Sequence, residues 1–186
     1  MAHSNVVGGS SAARVMNCPG SVRLLQQTMA RPSSSYAEEG TALHLAMEHI
    51  LRNDLVAEEV LGMEFHGHVM TREYVDEALD PAVRYFEEVV GDMAFEIGGR
   101  APLAAIPGAF GTADIVFYRG VHMVGILDWK FGAGQKVAIE DNMQMMFYLQ
   151  SQIDRGVPVL ESTPLVAHIV QPRMDNYGAD LYTREK

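Results

Sequence analysis

The sequence predicts an α/β fold (mixed α+β) in which helices flank a central mixed β-sheet. Three observations predict it. Two segments before residue 91 carry apolar side chains at helical spacing, the middle of the chain changes to runs rich in Val, Ile, Phe and Tyr that Pro and Gly separate, and a further helix and strand follow. That order is typical of helices packed on a mixed sheet.

The length predicts one domain. The chain has 186 residues, and a prior of about 150 residues per domain leaves no room for a second full one. We expect 1–186 to be a single domain. Residues 1–34 would be an N-terminal extension with a short helix over 21–30, and the core would run over about 35–173.

The helices are predicted from apolar periodicity and from capping signals. The first strong helix should begin near Ser35, which forms a capping box with Glu38. A loop or weak helix over 54–68 should precede a second helix over about 72–90. Pro81 either kinks that helix or begins its second half. A third helix should run over about 140–155. The apolar stripe of the first helix consists of Leu43, Ala46, Met47, Ile50 and Leu51.

The strands are expected over 94–97, 110–118, 121–131 and 164–170. Pairing between the second and third strands depends on the loop that joins them. A tight turn at Arg119 and Gly120 would set Asp114 opposite Gly125. A wider loop over about 119–123 would set Asp114 opposite Asp128, and both alternatives are open from the sequence.

Composition limits the class of function. The net charge is −10 with neutral histidines, which argues against holding nucleic acid by net charge alone. It does not exclude a nuclease, because metal sites need acidic residues. A single cysteine, Cys18, rules out a disulfide within the chain and a four-cysteine zinc or iron–sulfur site. With no signal-peptide or membrane-helix pattern, we expect a cytoplasmic protein.

Two aspartates and a lysine are the strongest candidates for chemistry. Asp128 and Lys130 are two apart on a predicted strand, so both side chains should project from one sheet face. Asp114 lies on the preceding strand. An unpaired ammonium in an apolar strand is unfavourable, and two carboxylates beside it suit a divalent cation that prefers oxygen ligands. The alternative is a buried ion pair without catalysis.

Two helical patterns add candidates of lower specificity. Gly40, His44 and Glu48 lie at i, i+4 and i+8, on one helix face. His44 is a candidate metal ligand, with Glu48 orienting it, although such a histidine is more often structural. Gln144 and Tyr148 form another i, i+4 pair. His66 and His68 alternate in a loop and are a weak candidate for a transition-metal pair.

Taken in order, these motifs resemble the RecB-like branch of the PD-(D/E)XK nuclease superfamily. The pattern is G-x-x-x-H-x-x-x-E on a helix, G-T-A-D and D-x-K on successive strands, and Q-x-x-x-Y on a helix. The N-terminal sequences Ser11-Ala12-Ala13-Arg14 and Asn17-Cys18-Pro19-Gly20-Ser21 are similar to the start of a phage- and prophage-encoded family of unknown function. The resemblance covers about residues 11–173, with Asp in place of the commoner Glu in the third motif.

The resemblance implies a restriction-endonuclease-like fold and a Mg²⁺- or Mn²⁺-dependent deoxyribonuclease, in its preferred form an exonuclease of phage or bacterial DNA recombination and processing. Asp114 and Asp128 would bind the metal with His44 and the backbone carbonyl of Trp129. Lys130 would position the attacking water or stabilise charge on the phosphate. Gln144 and Tyr148 would contact the DNA backbone or order the site.

The expected partner is therefore DNA, in a bacterial host cell, with a recombination protein or a second copy of the chain as a further candidate. Basic residues outside the acidic 54–96 stretch should line the approach to the pocket. The rival interpretation is a catalytically inactive binding module of the same fold, which acts through a protein or DNA partner. The basic candidates are Arg14, Arg119 and Lys136, with Arg23, Arg100 and Arg173 as further members.

Overall fold

The structure is a computed structural model that describes residues 6–27 and 34–182. Residues 28–30 of the predicted N-terminal helix lie outside the described residues. The described helices are α1 (Ala12–Asn17), α2 (Ser21–Gln27), α3 (Ser35–Asn53), α4 (Arg72–Tyr74), α5 (Asp80–Val89) and α6 (Met143–Asp154).

Helix α3 begins where the sequence predicts, but its cap differs by one residue. Ser34, not Ser35, is the N-cap, and its hydroxyl accepts a hydrogen bond from the Ala37 N–H at 3.3 Å. The reason is geometric: Ser34 has extended backbone angles, whereas Ser35 is already helical. The predicted stripe is buried through Leu43, Ala46, Met47 and Ile50.

The second predicted helix contains an irregular segment in front of Pro81. A π-helical segment, Val75–Leu79, joins α4 to α5, and Pro81 lies in the first turn of α5. Proline has no N–H, and its ring collides with the carbonyl four residues back in a regular helix. The wider π turn removes that conflict. The expectation that Pro81 begins the second half is therefore confirmed.

The central sheet has five strands and is mixed, as predicted. The strands are β1 (Glu64–Phe65), β2 (His68–Val69), β3 (Ala94–Pro102), β4 (Phe110–Tyr118), β5 (Val124–Trp129), β6 (Leu165–Gln171) and β7 (Asn176–Tyr182). The central sheet consists of β3, β4, β5, β6 and β7 in that spatial order, and a separate hairpin of β1 and β2 precedes it. Strands β5 and β6 are parallel and the other neighbours are antiparallel.

Several predicted boundaries were wrong. Strand β3 continues past residue 97 to Pro102, and β5 begins at Val124 rather than at 121. Strand β7 was not predicted, so the ordered core extends beyond 173 to Tyr182. Its sequence contains Asn, Gly and Asp, which are depleted in strands. It forms because the edge of β6 offers it a complete antiparallel ladder.

The wider of the two alternative loops joins β4 to β5. Tyr118 pairs with Val124, and the ladder continues to Ile115 opposite Leu127. The next residues in the same register are Asp114 and Asp128. Gly125 therefore lies opposite Phe117, and a Cβ at Gly125 would overlap the Phe117 ring. A glycine is required there because the aromatic ring covers its backbone.

Hydrophobic cores lie on both faces of the sheet. Helices α3 and α5 cover one face, where Trp129 and Phe131 are buried. Helix α6 covers the other face together with the N-terminal segment around Val7 and Ala12. Gly9 lies so close to the Tyr148 ring that a Cβ would overlap it. The N-terminal segment is thus packed on the core and adjoins α6.

Candidate metal centre

The two strand aspartates lie where β4 and β5 stop pairing. Asp114 Oδ2 accepts a hydrogen bond from the Trp129 backbone N–H at 2.8 Å. On its other side, the ladder between β3 and β4 omits the pair of Gly98 and Asp114. Gly98 has φ of +69°, a left-handed conformation that favours glycine. Asp114 is therefore held at a local irregularity of the sheet.

Asp128, Lys130 and Gln144 form one polar network on the α6 side. Lys130 Nζ lies 2.5 Å from Asp128 Oδ2 and donates a hydrogen bond to Gln144 Oε1 at 3.0 Å. The Gln144 amide nitrogen is 3.3 Å from Asp128 Oδ1 and 2.9 Å from the Tyr148 hydroxyl. The structure thus brings these four predicted residues together, with the i, i+2 pair on one face and Trp129 in the core opposite.

His44 reaches the same place from α3. Its Nδ1 lies 3.4 Å from Asp114 Oδ1, and its ring makes an edge contact with Phe131 at 5.1 Å between centroids. Burial lowers the pKa of His44, but the charge of Asp114 and the hydrogen bond to it outweigh burial, so the net pKa is raised. At a pH below this raised pKa, His44 is therefore protonated and forms an ion pair with Asp114.

The two carboxylates have opposite electrostatic environments. Burial raises the pKa of Asp128, and the negative charge of Asp114 raises it further. The positive charge of Lys130 lowers this pKa but does not cancel the rise, so the net pKa of Asp128 is raised. Burial also raises the pKa of Asp114, but His44, Lys130 and the Trp129 N–H together lower it below its ordinary value. A second positive charge beside Asp128 would stabilise its ionised form.

The other predicted supporting residues differ in their placement. Tyr148 is buried, and burial raises the pKa of its phenol, so it stays a neutral donor and acceptor. Glu48 accepts a hydrogen bond from Arg52 Nε at 2.8 Å, as an i, i+4 pair on α3. It lines a small cavity with His44, Asp114 and Trp129, but its carboxylate is already paired with Arg52.

A groove of about 950 Å³ opens onto the network and is lined by His44, Asp114, Asp128, Lys130 and Gln144, among others. Arg14 lines this groove as well. A second cavity of about 380 Å³ shares Thr41, His44 and Lys130 with it. The two cavities therefore meet at the candidate site.

The remaining predicted basic residues are not all near the groove. Lys136 follows the site strand, in the loop whose residues line the second cavity, and its Nζ donates to the Asp175 carbonyl at 3.5 Å. Arg119 lies in the loop after β4, beside Glu88 and Asp92. Since a strand rises about 3.3 Å per residue, Arg119 is about 17 Å along the chain from Asp114. The structure does not bring it to the groove.

Sequence reasoning missed two contributors to the site. Thr112 lines the groove two residues before Asp114, and Ser11 lines it from the N-terminal segment. The i, i+2 spacing to Asp114 was a signal for Thr112. Ser11 had no local signal, because only the packing of residues 6–17 against α6 places it there.

The donor set fits a hard divalent cation that keeps part of its water shell. Among the described residues, no three His, Cys, Asp or Glu side chains form a ready-made metal cluster. Asp128 Oδ2 is buried and, within the described part of the chain, accepts no well-formed hydrogen bond despite its ion pair with Lys130. In an extended strand the N–H and C=O of one residue point to the same edge, so the Trp129 carbonyl faces the Asp114 side. Two carboxylates, this carbonyl and waters are ligands that Mg²⁺ accepts.

Fold and site together define a mixed α/β protein in which Asp114, Asp128 and Lys130 lie at the central sheet beside Gln144 of α6. The chain belongs to the family described as "Protein of unknown function (DUF2800)", whose model matches residues 3–184. The predicted resemblance to a family of unknown function is thereby confirmed.

Three solved structures match the chain at low sequence identity. Two are crystal structures of LHK-Exo, one in complex with dAMP and one described as an alkaline exonuclease from Laribacter hongkongensis. They are 13% and 11% identical to this chain, and both TM-scores are 0.48. The alignments cover 97% and 98% of this chain and 78% and 79% of those chains. A crystal structure of SSO0001 is 10% identical with a TM-score of 0.29, covering 87% of this chain and 72% of that one.

Proposed function

We propose that this protein is a metal-dependent deoxyribonuclease that hydrolyses phosphodiester bonds. The observation that carries the proposal is the convergence of Asp114, Asp128, Lys130 and Gln144 on one groove. Two carboxylates from the adjacent strands β4 and β5, with the lysine that directly follows β5 beside them, can hold a divalent cation and a phosphate together.

Each residue of the site has a distinct role in the proposed reaction. Asp114 and Asp128, with the Trp129 carbonyl and the neutral, deprotonated His44 ring, would hold Mg²⁺ or Mn²⁺. When bound, the cation would lower the pKa of a water and neutralise charge on the scissile phosphate. Lys130 Nζ carries a fixed positive charge at the groove surface and would stabilise the negative charge that develops on the phosphate oxygens. Gln144 holds Nζ in place, and Tyr148 holds Gln144.

DNA is the proposed substrate, and the exonuclease form remains the preferred one on the sequence pattern. Arg14 in the groove and Lys136 beside the second cavity are the proposed phosphate contacts. A recombination protein or a second copy of the chain remains a proposed partner, and the bacterial cytoplasm is the proposed location. Within the described residues, no helix combines the length and the apolar character needed to cross a bilayer.

A binding module without catalysis is the second candidate, and one observation favours it. Lys130 already neutralises Asp128, and His44 already pairs with Asp114. In this interpretation the four groups form two buried ion pairs that stabilise the sheet edge. A DNA-binding chain with these pairs would bind without metal and would not cleave.

The test uses end-labelled single- and double-stranded DNA with and without Mn²⁺. The wild-type protein should degrade DNA only with the metal, and Asp128→Asn should lose that activity and the stabilisation by Mn²⁺. Asp92→Asn, which changes an exposed acid away from the groove, is the matched control and should behave as wild type. Metal-independent binding with no degradation by the wild type would support the second candidate instead.

A further inference from the structure

A short hairpin places one histidine in the groove. Strands β1 and β2 are joined by a two-residue turn, with Phe65 paired to His68. The turn residues His66 and Gly67 have φ of +49° and +78°, as a type I′ turn requires. His66 is thus a non-glycine residue in the left-handed region, where most side chains are unfavourable.

The hairpin is anchored on α3 through its other residues. The Phe65 ring contacts the His49 ring at 5.5 Å between centroids and packs against the core. This anchor leaves His66 at the tip, exposed, where it lines the same groove as Asp128 and Lys130. The His66 ring is therefore accessible to a molecule bound in the groove.

Two of the side chains that line the groove together with His66 are apolar and exposed. Leu25 of α2 and Leu45 of α3 line the groove with His66, and both are at least a third exposed. Charged groups lie at the other groove elements, with Lys130 on the sheet and Arg14 on α1. The groove lining therefore includes apolar side chains suited to a base and cations suited to phosphates.

We propose that His66, which lines the groove together with Leu25 and Leu45, contacts an unpaired nucleobase, so that the groove takes a single-stranded segment. This inference rests on the proposed function, because it assigns the substrate of that same site. Bases in a duplex are stacked inside the helix and offer no face to a groove wall. A single strand offers its bases to a ring on one side while its phosphates contact Lys130 and Arg14.

The experiment measures the affinity for fluorescent oligodeoxynucleotides with Ca²⁺ present, which tests binding separately from cleavage. It compares a single-stranded oligonucleotide, its duplex, and a single strand carrying a run of abasic sites. The variant is His66→Asn, since Asn tolerates the left-handed conformation and preserves the turn. His68→Asn, in the same hairpin but outside the groove lining, is the matched control.

The wild type and His68→Asn should bind the normal single strand about tenfold more tightly than the abasic strand and the duplex. His66→Asn should lose about tenfold on the normal strand and little on the abasic strand. An equal loss on both strands would make His66 a phosphate contact and would overturn the inference, as would wild-type affinity in His66→Asn.

If the wild type bound none of the DNAs and cleaved none with Mn²⁺, the proposed function itself would fail. Binding and cleavage with no effect of His66→Asn would overturn this inference alone.

Discussion

The carboxylate of Asp114 accepts the Trp129 backbone N–H at 2.8 Å, at the point where β4 and β5 separate. A side chain therefore replaces a carbonyl as the acceptor for this N–H. The replacement satisfies the main chain of β5 and leaves the two strands apart. It also fixes Asp114 beside Asp128, so the same hydrogen bond that ends the ladder holds the candidate metal centre.

Substitution of Asp114 should separate its structural role from its charge. Asp114→Asn keeps an oxygen that can accept the Trp129 N–H, whereas Asp114→Ala leaves that buried donor without an acceptor. We expect Asn to retain most of the stability and Ala to lose about 1–3 kcal/mol of unfolding free energy. Both should lose Mn²⁺-dependent stabilisation. Chemical denaturation with and without Mn²⁺ measures this, and equal stability of the two variants would show that the hydrogen bond is unimportant.

Lys130→Met should destabilise the metal-free protein and affect hydrolysis more than metal binding. Removal of Nζ leaves the buried Asp128 carboxylate without its cation, which we expect to cost about 3 kcal/mol. The double variant Lys130→Met/Asp128→Asn should recover most of this loss. With Mn²⁺, Lys130→Met should be stabilised at least as much as wild type and should cleave DNA about 100-fold more slowly. Wild-type cleavage by this variant would show that the lysine role is wrong.

Gly98→Ala tests whether the irregularity opposite Asp114 matters for the site. A Cβ would meet open space there, so the expected loss of about 1 kcal/mol comes from the left-handed backbone alone. For a chain of this length, that corresponds to about 2–4 °C in Tm. Gly120→Ala is the matched control, because Gly120 is also left-handed with open space but lies in the distant 119–123 loop. Only Gly98→Ala should weaken Mn²⁺ binding, as measured by calorimetric titration.

His168 should make stability depend on pH. Burial lowers the pKa of His168 from 6.5 to about 4, and its Nδ1 lies 3.1 Å from the Tyr85 hydroxyl. At pH values between about 4 and 6.5, His168 is protonated in the unfolded chain but neutral in the folded protein. The contribution of His168 to stability is therefore complete above pH 6.5 and falls as the pH drops toward 4, by about 3 kcal/mol at most.

Urea denaturation across this pH range checks the expectation for His168. His168→Gln should remove most of the slope between pH 6.5 and 4, whereas His122→Gln, at an exposed loop position, should retain it. A slope that is unchanged in His168→Gln would assign the pH dependence to other groups.

Charge reversal should distinguish the groove from the rest of the surface. Arg14→Glu removes a cation that lines the groove. Arg119→Glu removes a cation from the loop after β4, away from the groove. In the presence of Ca²⁺, we expect Arg14→Glu to weaken DNA binding and to lower the slope of log affinity against log salt by about 1. Arg119→Glu should retain the wild-type slope. Equal effects of the two variants would contradict the position of the groove.

Local patterns predicted most of the elements, and non-local packing decided the rest. The α3 stripe, the Pro81 irregularity and the β4 boundaries were readable because periodicity and proline stereochemistry act within a few residues. Strand β7 was not, since its stability comes from pairing with β6 rather than from its own composition. The packing of Gly9 against Tyr148 is likewise a contact between segments far apart in the chain.

For the candidate site too, local sequence patterns predicted one part and non-local packing decided the other. The sequence by itself determined which residues have suitable chemistry, and it placed Asp128 and Lys130 on one face, because side chains alternate along any strand. Only the tertiary structure decided that Asp114 lies beside them, because the register across β4 and β5 depends on a five-residue loop that the sequence left open. It also decided that Arg119 lies away from the groove and that His66 lies in it, because these positions depend on how separate segments pack around the sheet.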